Sequence, residues 1–112
     1  MGNDMKKVAY IITGSAGREL VGGCLLNTVA AGINGREVTA LHFAEDGVLF
    51  LLKGTDTGDK IARAIKEQGV KVIVCECSQE ARDMTDKMID GVTIGHFADF
   101  YEAAGDADVV AF

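Results

Sequence analysis

Proline is absent from this chain of 112 residues, and aromatic residues make up only 6% of it. A chain without proline, but with 14 glycines, suits short tight connections between regular elements rather than linkers or disordered tails. With so few aromatics, a core must be built mainly from Val, Ile, Leu, Ala and Met. Positive charge is also scarce: 11 Lys and Arg stand against 17 Asp and Glu, for a net charge of −6. An acidic domain offers no counter-ion field to a phosphate backbone, which argues against a nucleic-acid partner. No apolar run is long enough to span a membrane. The first seven residues lack the tripartite layout of a signal peptide. These absences together read as a soluble, cytoplasmic protein. The three cysteines are then expected to be reduced, and their odd number excludes a framework built purely of disulfides.

What is present is a regular alternation of strand and helix. Residues 7–13 form a β-rich run ended by Gly14. Over 18–31 the apolar positions fall at helical spacing, with Cys24 on the apolar face and Gly32 and Gly35 closing the helix. A second strand covers 38–43. Residues 48–52 are apolar without a period and suit either a short buried helix or a strand, and the preceding Asp46 favours a helix that it caps. That unbroken apolar run suits either a core helix or one side turned toward a partner subunit. Thr57-Gly58-Asp59 opens a further helix, with Ile61 and Ile65 on one face and Gly69 as its stop. A strand follows over 70–74. The spacing of Ala81, Met84 and Met88 predicts a helix over 79–89 with Ser78 as N-cap. A short strand at 92–95, a helix carrying Phe97, Phe100, Tyr101 and Ala104, and a last strand at 109–112 complete the pattern. Five strands separated by helices predict one α/β domain over residues 1–112, with a parallel sheet covered on both faces.

In such a sheet the C-terminal strand ends share one edge, and that edge is the default place for chemistry. Here it gathers Thr13-Gly14-Ser15, the stretch from His42 to Asp46, Cys75-Glu76-Cys77-Ser78, and Gly95-His96. The opposite edge carries mostly helix stops. Cys75 is the principal candidate. It lies between a strand and a helix start, whose free N–H groups favour a thiolate. Glu76 opposes that preference, and Arg82 one turn on is placed to offset it. The bland alternative is a small hydrophobe at a strand end. Cys77 is suited to resolving a Cys75 disulfide, to sharing a metal, or to packing. On an extended backbone the two thiols would point to opposite faces, so a direct bridge needs a bend. His42 and His96 each suit a proton donor, a metal ligand or a hydrogen-bonded loop residue. Gly95 before His96 permits close approach. Cys75, Cys77 and one histidine make an incomplete donor set, so no metal and no cofactor is expected. The turn from Thr13 through Gly14 and Ser15 to Arg18 is like a phosphate cradle but lacks the full P-loop pattern. It either holds an anion or caps the first helix.

Taken in order, these segments resemble the DsrE/DsrF-like family of small sulfur-relay proteins. The features that carry the resemblance are the opening strand with its glycine turn, Phe43 followed by Asp46-Gly47-Val48, and Gly69-Val70-Lys71-Val72 leading to Cys75-x-x-Ser78. Glu80-Ala81-Arg82, Gly91-Val92-Thr93-Ile94 and the terminal Asp108-Val109-Val110-Ala111-Phe112 complete it. The resemblance implies a three-layer α/β/α sandwich around a five-stranded parallel sheet, assembled as a homo-oligomer, a trimer or hexamer. It implies that Cys75 carries sulfane sulfur as a persulfide, received from a donor protein and passed to an acceptor protein, with Ser78 capping the helix or bonding the sulfur. The chain departs from the family pattern at Cys77 and at Asp83, where a glycine is common. Two other readings of the residues stay open: an oligomeric binding module with an inert Cys75, and a thiol-based redox or metal sensor using Cys75 and Cys77.

Overall fold

Alternating apolar side chains make the strands, and the alternation decides which face each one serves. In the computed structural model, residues 6–14 and 36–112 are described. The strands are β1 (Lys6–Ile12), β2 (Arg36–Phe43), β3 (Lys71–Cys75), β4 (Thr93–Gly95) and β5 (Asp108–Ala111). They form one sheet in the order β4-β3-β2-β1-β5, and every neighbouring pair is parallel. The helices are a 3₁₀ helix (Glu45–Leu51), α1 (Asp56–Gln68), α2 (Glu76–Ala81) and α3 (Phe97–Ala104). This is the α/β architecture with a five-stranded parallel sheet that the alternation predicts. The helix expected over 18–31, with Cys24, and the candidate Ser15 lie outside the described residues.

Each face of the sheet has its own core. On one face Val8, Ile12, Leu41, Phe43, Val72 and Val74 pack with Val48, Leu51, Ile61, Ala64, Met84 and Met88. On the other, Ala9, Ile11, Ala40 and Ile73 pack against Phe100 and Ala104 of α3. The second core rests on small side chains at Ala9 and Ala40, which let the Phe100 ring lie close to the sheet. Burying that ring completely, as here, makes its truncation to alanine cost about 3–5 kcal/mol. The β1–β2 register slips by one residue, from Val8 opposite Val38 to Ala9 opposite Ala40. Thr39 is the extra residue of this bulge. The bulge keeps Val38 on the first face and turns Ala40 and His42 toward the second.

Local chemistry sets the helix ends. Thr55 caps α1: its Oγ1 accepts from the Gly58 N–H at 3.0 Å and donates to the Leu52 carbonyl at 2.8 Å. The helix therefore opens at Asp56 rather than at Thr57. Gly69 closes it in the left-handed region at φ 71°, donating to the Ile65 carbonyl.

Two helices differ from the sequence reading. Residues 45–51 form a 3₁₀ helix that starts before Asp46, with Ala44 at the N-cap and no side-chain cap. Asp46 is not the cap because its carboxylate is held by Arg82 instead. The helix expected over 79–89 with Ser78 as N-cap is instead Glu76–Ala81 with Cys75 at the N-cap. It ends because Asp83 adopts φ 53° and because a competing pairing wins downstream. Ile89 N–H donates to Leu51 O, Lys53 N–H donates to Lys87 O, and Leu52 and Met88 form an antiparallel bridge. Met84 and Met88 still enter the core, whereas Ala81 is exposed. Their spacing reported burial, and burial was achieved without a helix.

Candidate functional site

Cys75 is the last residue of β3. It pairs with Gly95 of β4 and is the N-cap of α2, and it is half-buried. By strand alternation it shares the α3 face of the sheet with Ile73. Its sulfur makes no cap hydrogen bond. Cys77, in the first turn of α2, is exposed, and both thiols are free.

The two loops that flank this point are stitched together. Ser78 is buried, and its Oγ accepts the Glu45 N–H at 2.8 Å. That bond replaces the expected cap or sulfur contact: Ser78 joins the start of α2 to the start of the 3₁₀ helix. Arg82 completes the seam. Its Nε and Nη2 donate to Asp46 Oδ1 at 3.2 and 2.9 Å, and its Nη1 donates to the Ser78 carbonyl at 3.1 Å. Arg82 is thus spent on Asp46 rather than offsetting Glu76. Neither Ser78 nor Arg82 was legible as a seam from sequence, because the partners lie more than thirty positions away in the chain.

On the other side of Cys75, His96 is the N-cap of α3. Its backbone N–H donates to Asp99 Oδ2 at 2.8 Å in a capping-box arrangement. Gly95 makes this approach feasible, since a Cβ there would come within 2.5 Å of the same oxygen. The His96 Nε2 lies 3.9 Å from Glu76 Oε2, so the imidazole faces the carboxylate that separates the two cysteines.

His42 is placed differently from its expected loop. It lies inside β2 opposite Ile73, fully buried, with ring centroids 4.5 Å from Phe97 and 5.4 Å from Phe100. Neither ring nitrogen has a hydrogen-bond partner among the described residues. Burial pushes its pKa below the usual histidine value, which keeps the imidazole neutral. His42 and Cys75 therefore share one face of the sheet on successive rungs. The strand pattern places His42 next to the strand's last residue, Phe43, and gives no sign that rings from α3 close over it.

Thr13 and Gly14 lie apart from this group. The Thr13 N–H and Oγ1 both donate to the Phe112 backbone oxygen, each at 2.8 Å. The β1 end is thereby tied to β5 through the Thr13 hydroxyl proton, and the rest of the turn, from Ser15 to Arg18, lies outside the described residues. Among the described residues nothing lies within 4 Å of where a Gly14 Cβ would stand. Among the described residues no cluster of three or more His, Cys, Asp and Glu is arranged to hold a metal ion. Nor is any described helix long and apolar enough to cross a membrane. Among the described residues, open depressions lie away from Cys75. One of about 620 Å³ runs past Lys71, Ile73, Thr93, Asp99 and Glu102, and one of about 480 Å³ lies beside Lys53, Asp86, Met88 and Ile94.

Comparison with known proteins agrees with this fold. The DsrE/DsrF-like family matches residues 6–112. The crystal structure of the ychN protein from E. coli is similar in fold, with a TM-score of 0.75 and 21% identity, covering 96% of this chain and 100% of that one. The structure of MTH1491, a protein of unknown function from Methanobacterium thermoautotrophicum, has a TM-score of 0.69 and 17% identity, covering 97% of this chain and 100% of that one. No curated protein matches the sequence.

Proposed function

The chain belongs to the DsrE/DsrF-like family, and from that premise we propose that it carries sulfane sulfur as a persulfide on Cys75. The observation that supports this most is the position of Cys75: a free, half-buried thiol at the C-terminal end of a parallel strand, beside the first turn of α2. The first N–H groups of a helix have no intrahelical partner and favour a nearby anion, whether thiolate or perthiolate.

Transfer needs two exchanges. The Cys75 thiolate attacks the outer sulfur of a donor persulfide. The donor's S–S bond breaks, the donor leaves as a thiolate, and Cys75 gains one sulfur. An acceptor thiolate then attacks that outer sulfur, and Cys75 leaves as a thiolate. The two steps are together redox-neutral, and their rates follow thiolate fraction, leaving-group basicity and access. Donor and acceptor are proteins with reactive thiols.

We place this chemistry in the cytoplasm, on a homo-oligomer that is a trimer or hexamer. Exposed apolar side chains on edge strand β5, Val109 and Val110, together with Phe112, support self-association. The test of the relay is brief exposure to inorganic polysulfide, quenched with iodoacetamide at the shortest mixing time and followed by peptide mass mapping. An alkylated persulfide on Cys75, lost in Cys75→Ser, is expected. Absence of added sulfur on Cys75 at every mixing time, in wild type and in Cys77→Ser alike, excludes the relay.

A further inference from the structure

The passage from β3 into α2 is abrupt. Cys75 ends the strand at φ −62° and ψ 120°, and Glu76 is already helical. The spacing of the Cα atoms of Cys75 and Cys77 depends on the torsions of the residue between them. In an extended strand, residues two apart stand about 6.6 Å apart and face opposite ways. In helical geometry they stand about 5.4 Å apart. Both values fall within the roughly 4.4–6.8 Å that a disulfide spans, and the helical one lies close to the commonest spacing, about 5.5–6 Å. The turn into α2 at Glu76 therefore gives Cys75 and Cys77 a Cα spacing that suits a bridge. Both thiols are free, Cys77 is exposed, and no cap hydrogen bond pins the Cys75 side chain in one rotamer.

We propose that Cys77 resolves the Cys75 persulfide and releases its outer sulfur as sulfide, a second outlet for the same site. This rests on the reading of Cys75 as a sulfur carrier. The Cys77 thiolate attacks the inner sulfur, Cys75 Sγ. A Cys75–Cys77 disulfide forms, the bond to the outer sulfur breaks, and that sulfur leaves with the electron pair as hydrosulfide. The proton lost from Cys77 accompanies it as hydrogen sulfide. The two cysteine sulfurs are oxidised, the sulfane sulfur is reduced, and no external oxidant enters.

The direction follows from leaving-group strength, since hydrosulfide is a weaker base than an alkyl thiolate and departs faster. Attack on the outer sulfur moves the persulfide to Cys77, from which Cys75 reaches the same disulfide. The reaction is intramolecular, so it competes with any acceptor that arrives by diffusion. A bridge across a single residue is strained and exposed, which places it among the easily reduced disulfides. An external dithiol returns both cysteines to the free state. An acceptor docked before resolution receives sulfane sulfur, and without one the chain discharges sulfide.

The experiment loads the full chain with inorganic polysulfide, removes excess reagent, and follows two signals. Sulfide is trapped with monobromobimane, and the tryptic peptide 72–82, which holds both thiols, is weighed without reduction. Wild type is expected to release one sulfide per bound sulfur and to leave that peptide two hydrogens lighter than its dithiol form. Cys77→Ser is expected to keep the added sulfur on Cys75 about ten-fold longer or more. Equal lifetimes in the two proteins, or a disulfide that does not join Cys75 to Cys77, overturn the proposal while leaving the carrier intact. Failure of Cys77→Ser to take up sulfur at all overturns the carrier reading and this inference with it.

Discussion

His42 carries a free-energy penalty that its surroundings make measurable. An imidazole buried between Phe97 and Phe100 with neither nitrogen bonded among the described residues costs about 1–3 kcal/mol relative to a satisfied one. Its pKa is lowered in the folded state, so at acid pH the unfolded chain binds the proton more readily than the native one. Its contribution to stability is full above the unfolded value of 6.5 and is lost as pH falls below it. The loss approaches about 1.4 kcal/mol per pH unit until the native pKa is reached. His42→Leu keeps the apolar contact and removes both unsatisfied nitrogens. Urea unfolding at pH 7.5 is expected to show the variant more stable by about 1 kcal/mol. Between pH 6.5 and 5.5 wild type is expected to lose more stability than the variant. Parallel pH profiles for the two proteins would contradict this account. At this scale the sequence supplied residue types faithfully. It named Cys75, Cys77, Ser78 and His96, and the structure sets these four around the β3–α2 junction. It misjudged what Ser78 and Asp46 bond to, since Glu45 and Arg82 reach them only across the fold.

The short helix α2 shows how an element can be present, yet displaced. Ser78 is a good N-cap residue, and the apolar spacing after it fits a helix, so a reading from propensity starts the helix there. The chain instead starts it at Glu76 and stops it at Asp83, whose φ of 53° is unfavourable for a residue with a Cβ. The family pattern commonly has glycine at this position, which carries no such penalty. Asp83→Gly is expected to raise stability by up to about 1 kcal/mol, measured by urea unfolding at neutral pH. The ion pair it removes, Asp83 with Lys87 at 3.9 Å and highly exposed, offsets little of that gain. No gain in the variant would mean that the left-handed conformation is not strained there. The displacement of α2 bears on the proposed resolution, because a helix that opens at Glu76 sets the Cys75–Cys77 Cα spacing near the commonest value for a disulfide.

For the whole molecule, strand order decides which candidate residues can cooperate. With the order β4-β3-β2-β1-β5, the ends of β3 and β4 lie side by side and bring Cys75 to Gly95 and His96. The ends of β1 and β5 meet at the other side of the sheet, and there Thr13 binds the Phe112 oxygen. The glycine turn after β1 and the cysteine turn after β3 are thus separate places on one edge. Assembly belongs to this scale as well. Light scattering of the purified chain at micromolar concentration is expected to give the mass of three or six copies, and a monomer mass would refute the oligomer.

The sequence by itself determined the alternation of strands and helices, the two-faced parallel sheet and the clustering of reactive side chains at its C-terminal edge. These follow from periodicity and turn residues, which act over a few positions along the chain. Tertiary structure alone decided the strand order, the early start of α2, the seam of Arg82 with Asp46 and of Ser78 with Glu45, and the burial of His42. Each of these depends on contacts between residues distant in the chain, whose free energies outweigh local propensity and leave no mark in any short stretch of sequence.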